Sequence, residues 1–144
     1  MKVEIQEGFP EIEVIIKCPK NTDEIRRIES ILIGYKQRFS CTKNGIVHLI
    51  DKNDIIYFES VDRFCFLYTV DNVYETSMKL YEIEESLTEM GFLRSSKSQI
   101  INIAKIESLC PDFGGRIEAI MENGYQLIVS RQYAKQLKER VGLK

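Results

Sequence analysis

The sequence predicts a β-rich α+β protein, and three observations carry the prediction. Two Asn-Gly dipeptides, Asn44-Gly45 and Asn123-Gly124, each lie between strand-length apolar runs, the strongest short hairpin signal a sequence offers. From Phe39 onward, strand-length segments follow one another closely and in hairpins, without the repeating strand–helix–strand rhythm of a parallel sheet. Helical spacing is confined to short stretches, one near the N-terminus and two within the β-rich part.

Taken in order, residues 11–18 place Ile12, Val14, Ile16 and Cys18 at period two, which predicts a strand with one face to bury. Asn21 precedes Thr22-Asp23-Glu24 in a capping arrangement, and Ile25, Ile28 and Leu32 follow at helical spacing. Residues 1–38 thus read as a strand–helix unit too small for a core of its own. It is expected to form a dimer contact, receive a partner protein or cover a sheet edge.

Residues 39–50 read as two strands about Asn44-Gly45. Residues 54–60 read as another strand, broken at Val61-Asp62-Arg63 and resumed with Phe64, Phe66, Tyr68 and Val70 alternating. Asp71-Asn72 turns the chain into residues 73–77. Leu80, Ile83, Leu87 and Met90 mark an amphipathic helix that Gly91 can end in the left-handed conformation. Residues 99–106 read as one short strand and residues 111–115 as loop. Residues 116–121 and 125–129 pair through Asn123-Gly124, and Ser130 can cap a last helix with Ala134, Leu137 and Val141 as its seam.

The chain has 144 residues, enough for one ordinary domain with a short appended unit, and its 44% apolar and 29% charged residues are those of a globular protein. A net charge of −2 advertises no nucleic-acid or acidic-membrane partner, so any phosphate site must be a local concentration of positive charge. Cys18, Cys41, Cys65 and Cys110 stand singly with one histidine, His48, so zinc-ligand spacing is absent and buried or half-buried reduced thiols are expected. No basic head precedes an apolar run, and no stretch nears the ~18 apolar residues of a membrane span, so a cytoplasmic protein without a transmembrane segment is expected.

Enzyme chemistry finds little support. His48 lies in an apolar strand, Glu82, Glu84 and Glu85 lie on a helix's solvated side, and Gly114-Gly115 lacks the lysine of a phosphate-binding loop. No catalytic residue, cofactor or metal is expected. The stretch Gly91-Phe-Leu-Arg-Ser-Ser-Lys-Ser-Gln-Ile-Ile-Asn102 is different, because Arg94, Ser95, Ser96, Lys97 and Ser98 gather donors within five residues. Two readings stand: a solvated connection, or a loop that holds phosphate oxygens while Lys97 reaches a base edge. Arg131, at a strand-to-helix junction, suits either guanine or a surface ion pair. Asp62-Arg63 forms a smaller third group.

Together and in order, these pieces resemble the LytTR-type DNA-binding domain of bacterial transcription regulators, from about Phe39 to Val141. The resemblance rests on residues 54–60, the helix ending in Leu87, residues 92–102 with Ile106, and Asn123-Gly-Tyr-Gln-Leu-Ile-Val-Ser-Arg131 with Tyr133. It implies a module of mostly antiparallel strands with two short helices, in which inter-strand loops, and no recognition helix, enter successive DNA grooves. By position it implies DNA contacts at Arg63, Arg94, Ser96, Lys97 and Arg131, with Asp62, Phe64, Ser98 and Asn102 in support. Where the family often has His, this chain has the shorter Ser96, which makes Lys97 the expected reader. Residues 1–38 are too short for the phosphoacceptor receiver domain of many family members, so a stand-alone regulator is expected, binding repeated sites on double-stranded DNA as a homodimer. The alternative is a protein-interaction module that keeps the fold and does not bind DNA.

Overall fold

A computed structural model describes residues 1–35 and 38–142, and the chain divides into two compact units, residues 1–36 and 37–144. In the first, helix α1 (Asp23–Tyr35) begins after Thr22, whose carbonyl accepts from the Arg26 amide at 3.1 Å. Thr22, one residue beyond Asn21, therefore occupies the cap position. The strand expected over residues 11–18 is absent: the stretch is irregular, with Ile12, Val14 and Ile15 exposed. Alternation supplies a face, but a strand also needs a neighbour for its backbone donors and acceptors, and this unit's described residues contain no second strand.

The second unit begins with β1 (Arg38–Lys43) and β2 (Ile46–Asp51). Asn44 and Gly45 join them at φ +52° and +77°, the left-handed pair that lets a two-residue turn follow strand twist. Next come β3 (Tyr57–Val61), β4 (Phe64–Tyr68) and β5 (Val73–Thr76), then helix α2 (Leu80–Leu87). A 3₁₀ turn over Thr88–Met90 tightens the end of α2, and Gly91 at φ +92° stops it. The chain continues through β6 (Phe92–Arg94), β7 (Gln99–Asn102), β8 (Ile106–Pro111), β9 (Ile117–Met121), β10 (Gln126–Val129) and α3 (Arg131–Arg140).

Every strand pairing is antiparallel. One sheet has the order β2-β1-β5-β4-β3-β7-β6 and a second has β10-β9-β8. Successive strand residues point to opposite faces, and the larger sheet uses both. Phe58, Leu67, Phe92 and Ile100 form one core with Ile83 of α2, while Tyr57, Leu93 and Ile101 join Ala119, Met121, Val129 and Leu137 in a second core with the smaller sheet and α3.

Three local expectations are corrected. In β4 the buried residues are Cys65 and Leu67, whereas Phe64 is exposed, because α2's core claims the Cys65 face and the opposite face is covered only near Tyr68, stacked on Tyr57 at 4.2 Å. Residues 99–106 are two strands in two sheets. Asn102 stops β7 by accepting from the Ala104 amide at 3.1 Å, which opens a 3₁₀ turn at Ile103–Lys105. Finally, only Cys41 and Cys65 are buried, while Cys18 and Cys110 are exposed.

Candidate nucleic-acid interface

The polar stretch after α2 folds as a tight connection between β6 and β7, whose pairing runs Phe92 opposite Asn102 and Arg94 opposite Ile100. The turn is closed by Gln99, whose carbonyl accepts from the Ser95 amide at 3.0 Å. Arg94 does not project outward. Its guanidinium donates to the Ser96 carbonyl at 2.8 Å, to the Lys97 carbonyl at 2.6 Å and to Glu84 of α2 at 2.9 Å, and its side chain is 19% exposed. A planar, five-donor group suits three fixed acceptors in this way. Arg94 thus pins the turn to the helix.

With Arg94 turned inward, the turn presents Lys97. Its side chain is exposed, and its ammonium has no hydrogen bond or ion pair among the described residues. Ser96 and Ser98 are half-buried and bond to one another: Ser96 Oγ accepts from the Ser98 amide at 3.2 Å, and their hydroxyls lie 3.5 Å apart. The Ser98 carbonyl accepts from the Ser60 amide at 2.8 Å, tying the turn to β3. Asn102 is buried and donates to the Ile55 carbonyl at 2.9 Å and the Lys52 carbonyl at 3.3 Å, so it holds the backbone beneath the turn.

Two further groups meet this turn. Asp62 and Arg63 form the two-residue tip between β3 and β4, with Asp62 at φ +57°, a conformation Asp tolerates better than most side chains. The tip, the β5–α2 connection and the 94–97 turn surround an open cleft of about 440 Å³, lined among others by Asp62, Arg63, Phe64, Lys79, Arg94 and Lys97. On the turn's other side, the Ser95 carbonyl accepts from the Ser130 amide at 2.8 Å, which fixes the start of α3 and places Arg131 beside the same loop. Ser95 Oγ is buried without a partner among the described residues, so Ser95 contributes through its backbone and small size. Ser130 sits at the cap position without a side-chain cap bond; its carbonyl accepts from Ala134.

Arg131 is exposed, and its aliphatic stem lies across Gly115: a Cβ added at that glycine would stand 3.2 Å from Arg131 Cγ. Sequence reasoning missed this seat, as it missed Glu84 as the partner of Arg94. The Gly114-Gly115 pair was the available signal, because adjacent glycines mark close backbone approach as well as turns. Arg63 and Lys97 thus line one cleft from two inter-strand turns, Arg131 opens α3 beside the second of those turns, and none of these three cations has an ion pair among the described residues.

A β-rich α+β domain that exposes cations on two inter-strand turns and at the start of its last helix is the class that fold and site define. Residues 45–142 match the LytTr DNA-binding domain family, and the chain belongs to that family. Similar proteins include an uncharacterized HTH-type transcriptional regulator of Staphylococcus aureus strain NCTC 8325, 28% identical over 137 residues that cover 89% of this chain and 88% of the relative. A regulator of the same description from strain MRSA252 is 27% identical with the same shares covered. A solved LytTr DNA-binding domain from a Bacillus cereus response regulator is alike in fold, with a TM-score of 0.70 at 21% identity over 74% of this chain and 98% of that one. Among the described residues, strands separate all three α-helices, so no helix-turn-helix pair occurs here.

Proposed function

We propose that this protein is a sequence-specific DNA-binding transcription regulator that reads double-stranded DNA through its inter-strand loops. The observation that carries this reading is the division of labour among the cations: Arg94 is spent on the turn, while Arg63 and Lys97 are exposed about one cleft and Arg131 is exposed at the start of α3 beside the same turn. Lys97 and Arg131 are the base readers, Arg63 supplies a flanking contact, and Ser96 and Ser98 shape the turn. Few phosphate contacts accompany them, in keeping with a net charge of −2, so salt dependence is shallow.

A DNA site selected from a random pool provides the test. Lys97→Ala or Arg131→Ala lowers affinity for that site by roughly 1 to 3 kcal/mol, with thermal stability unchanged. Arg94→Ala also lowers affinity, but together with stability, because it releases the turn. Wild-type affinity in the Lys97→Ala, Arg131→Ala double variant would reject the assignment.

The reading extends to a homodimer on repeated sites, with residues 1–36 of two copies as the contact. Within that unit Phe9, Ile12, Val14, Ile15, Ile31 and Ile33 are exposed. They hold on the order of 500 Å² of apolar surface, a large part of the ~800 Å² each partner buries in a standard interface. A second copy also supplies what residues 11–18 lack, a neighbouring strand.

A further inference from the structure

The connection between β8 and β9 carries a feature that DNA reading by Lys97 and Arg131 leaves unused. Phe113 is 86% exposed at the tip of a short, ordered turn. Its carbonyl accepts from Arg116 twice, from Nε at 3.0 Å and from the amide at 3.4 Å, and the Asp112 amide donates back to the Arg116 carbonyl at 2.9 Å. Gly114 and Gly115, at φ +71° and +82°, give the backbone a path that other residues resist. Single exposed apolar residues are ordinary on a protein surface. This one is held out on a built support, so little ordering entropy opposes its burial.

Its position gives the ring a partner. The same turn seats Arg131 through Gly115, and Arg131 follows Ser130, whose amide bonds the Lys97 turn at Ser95. Phe113 therefore stands in the turn that seats Arg131, a cation without an ion pair among the described residues, and Arg131 in turn adjoins the residue bonded to the Lys97 turn. The one carboxylate in its turn, Asp112, faces Arg116 at 3.8 Å, so the local charge opposing a phosphate backbone is offset. An aromatic ring on the turn that seats a base-reading arginine suits the one apolar group a base pair shows in the major groove, the thymine methyl.

We infer that Phe113 is a further specificity-determining residue of the DNA interface, packing its ring on a thymine 5-methyl next to the base read by Arg131. The inference rests on the proposed DNA-reading function and adds a contact that charge alone does not supply. It is tested with the full chain on its selected DNA site, using Phe113→Ala, Phe113→Leu and a set of sites in which each thymine in turn is replaced by uracil, which removes only the methyl. Phe113→Ala is expected to weaken binding roughly tenfold, with Phe113→Leu retaining most of the affinity. One uracil substitution should weaken the wild type by a similar factor and leave Phe113→Ala unaffected. If Phe113→Ala binds like wild type while Arg131→Ala does not, the inference fails and the DNA-reading function stands. If the wild type enriches no sequence from the pool, both fall together.

Discussion

Residues 11–18 and residues 92–102 make an instructive pair. The first stretch alternates apolar and polar side chains except at Ile15 yet forms no strand; the second interrupts its apolar residues with six polar or charged ones, Arg94 to Gln99, and forms two. What separates them is the partner. β6 and β7 bond to each other and β7 bonds to β3, with Leu93, Ile100 and Ile101 buried by neighbouring elements, whereas residues 11–18 meet no ladder within their unit. A period-two pattern is a request for burial, and long-range contacts decide whether it is met.

This contrast is sharpest at Phe58, fully buried with Phe39 at 5.0 Å and Phe92 at 6.0 Å between ring centroids. Phe58→Ala is expected to cost about 3 to 5 kcal/mol in urea unfolding, through lost transfer energy and the cavity left behind. A cost under about 1 kcal/mol would mean that this core relaxes far more than its packing allows. Asn102→Ala comes next, at about 2 to 3 kcal/mol, because it strands the buried Ile55 carbonyl away from water and removes the cap from the Ala104 amide. Asn102→Asp should not restore the loss, since a carboxylate cannot donate to Ile55.

A smaller effect separates the buried thiols from the exposed ones. Burial pushes Cys41 and Cys65 up from 9.0 to about 11, so the folded state favours their protonated form. Their contribution is complete below pH 9 and is lost as pH rises toward about 11, so unfolding midpoints should fall across that window. The Cys41→Ala, Cys65→Ala double variant should show a flatter profile. Tyr57, raised by burial and by Tyr68 and Glu59 nearby, extends the decline to higher pH. In native protein Cys18 and Cys110 should react with a thiol reagent first.

The smallest stability effect belongs to the N-terminal unit. Ile12→Asp with Val14→Asp should shift the domain's unfolding by less than about 0.5 kcal/mol, as for exposed sites, while sedimentation velocity shows a dimer becoming a monomer. Unchanged sedimentation would break the proposed contact, and a large loss of domain stability would erase the contrast between the regions.

Much of the fold was legible because its signals are local. Asn44-Gly45 and Asn123-Gly124 mark their hairpins since few residues accept positive φ, and Leu80, Ile83 and Leu87 face one core because a helix turns every 3.6 residues. The candidate interface was legible as a cluster of residue types, with Arg63, Lys97 and Arg131 recognisable from the resemblance in their connections. Their roles were less legible: nothing near Arg94 in the chain says that Glu84 and two carbonyls of its own turn will occupy its guanidinium.

By itself, then, the sequence determined the turn positions, the helix stops and the β-rich character, all governed by the φ a residue accepts and the period of its neighbours. Only the tertiary structure decided that residues 99–106 divide between two sheets, that residues 11–18 go without a ladder, that Arg94 clamps while Lys97 projects, and that Arg131 rests on Gly115 beside Phe113. Each of these depends on a hydrogen bond or contact with a group elsewhere in the fold, and a side chain's free valences are settled only once those partners have arrived.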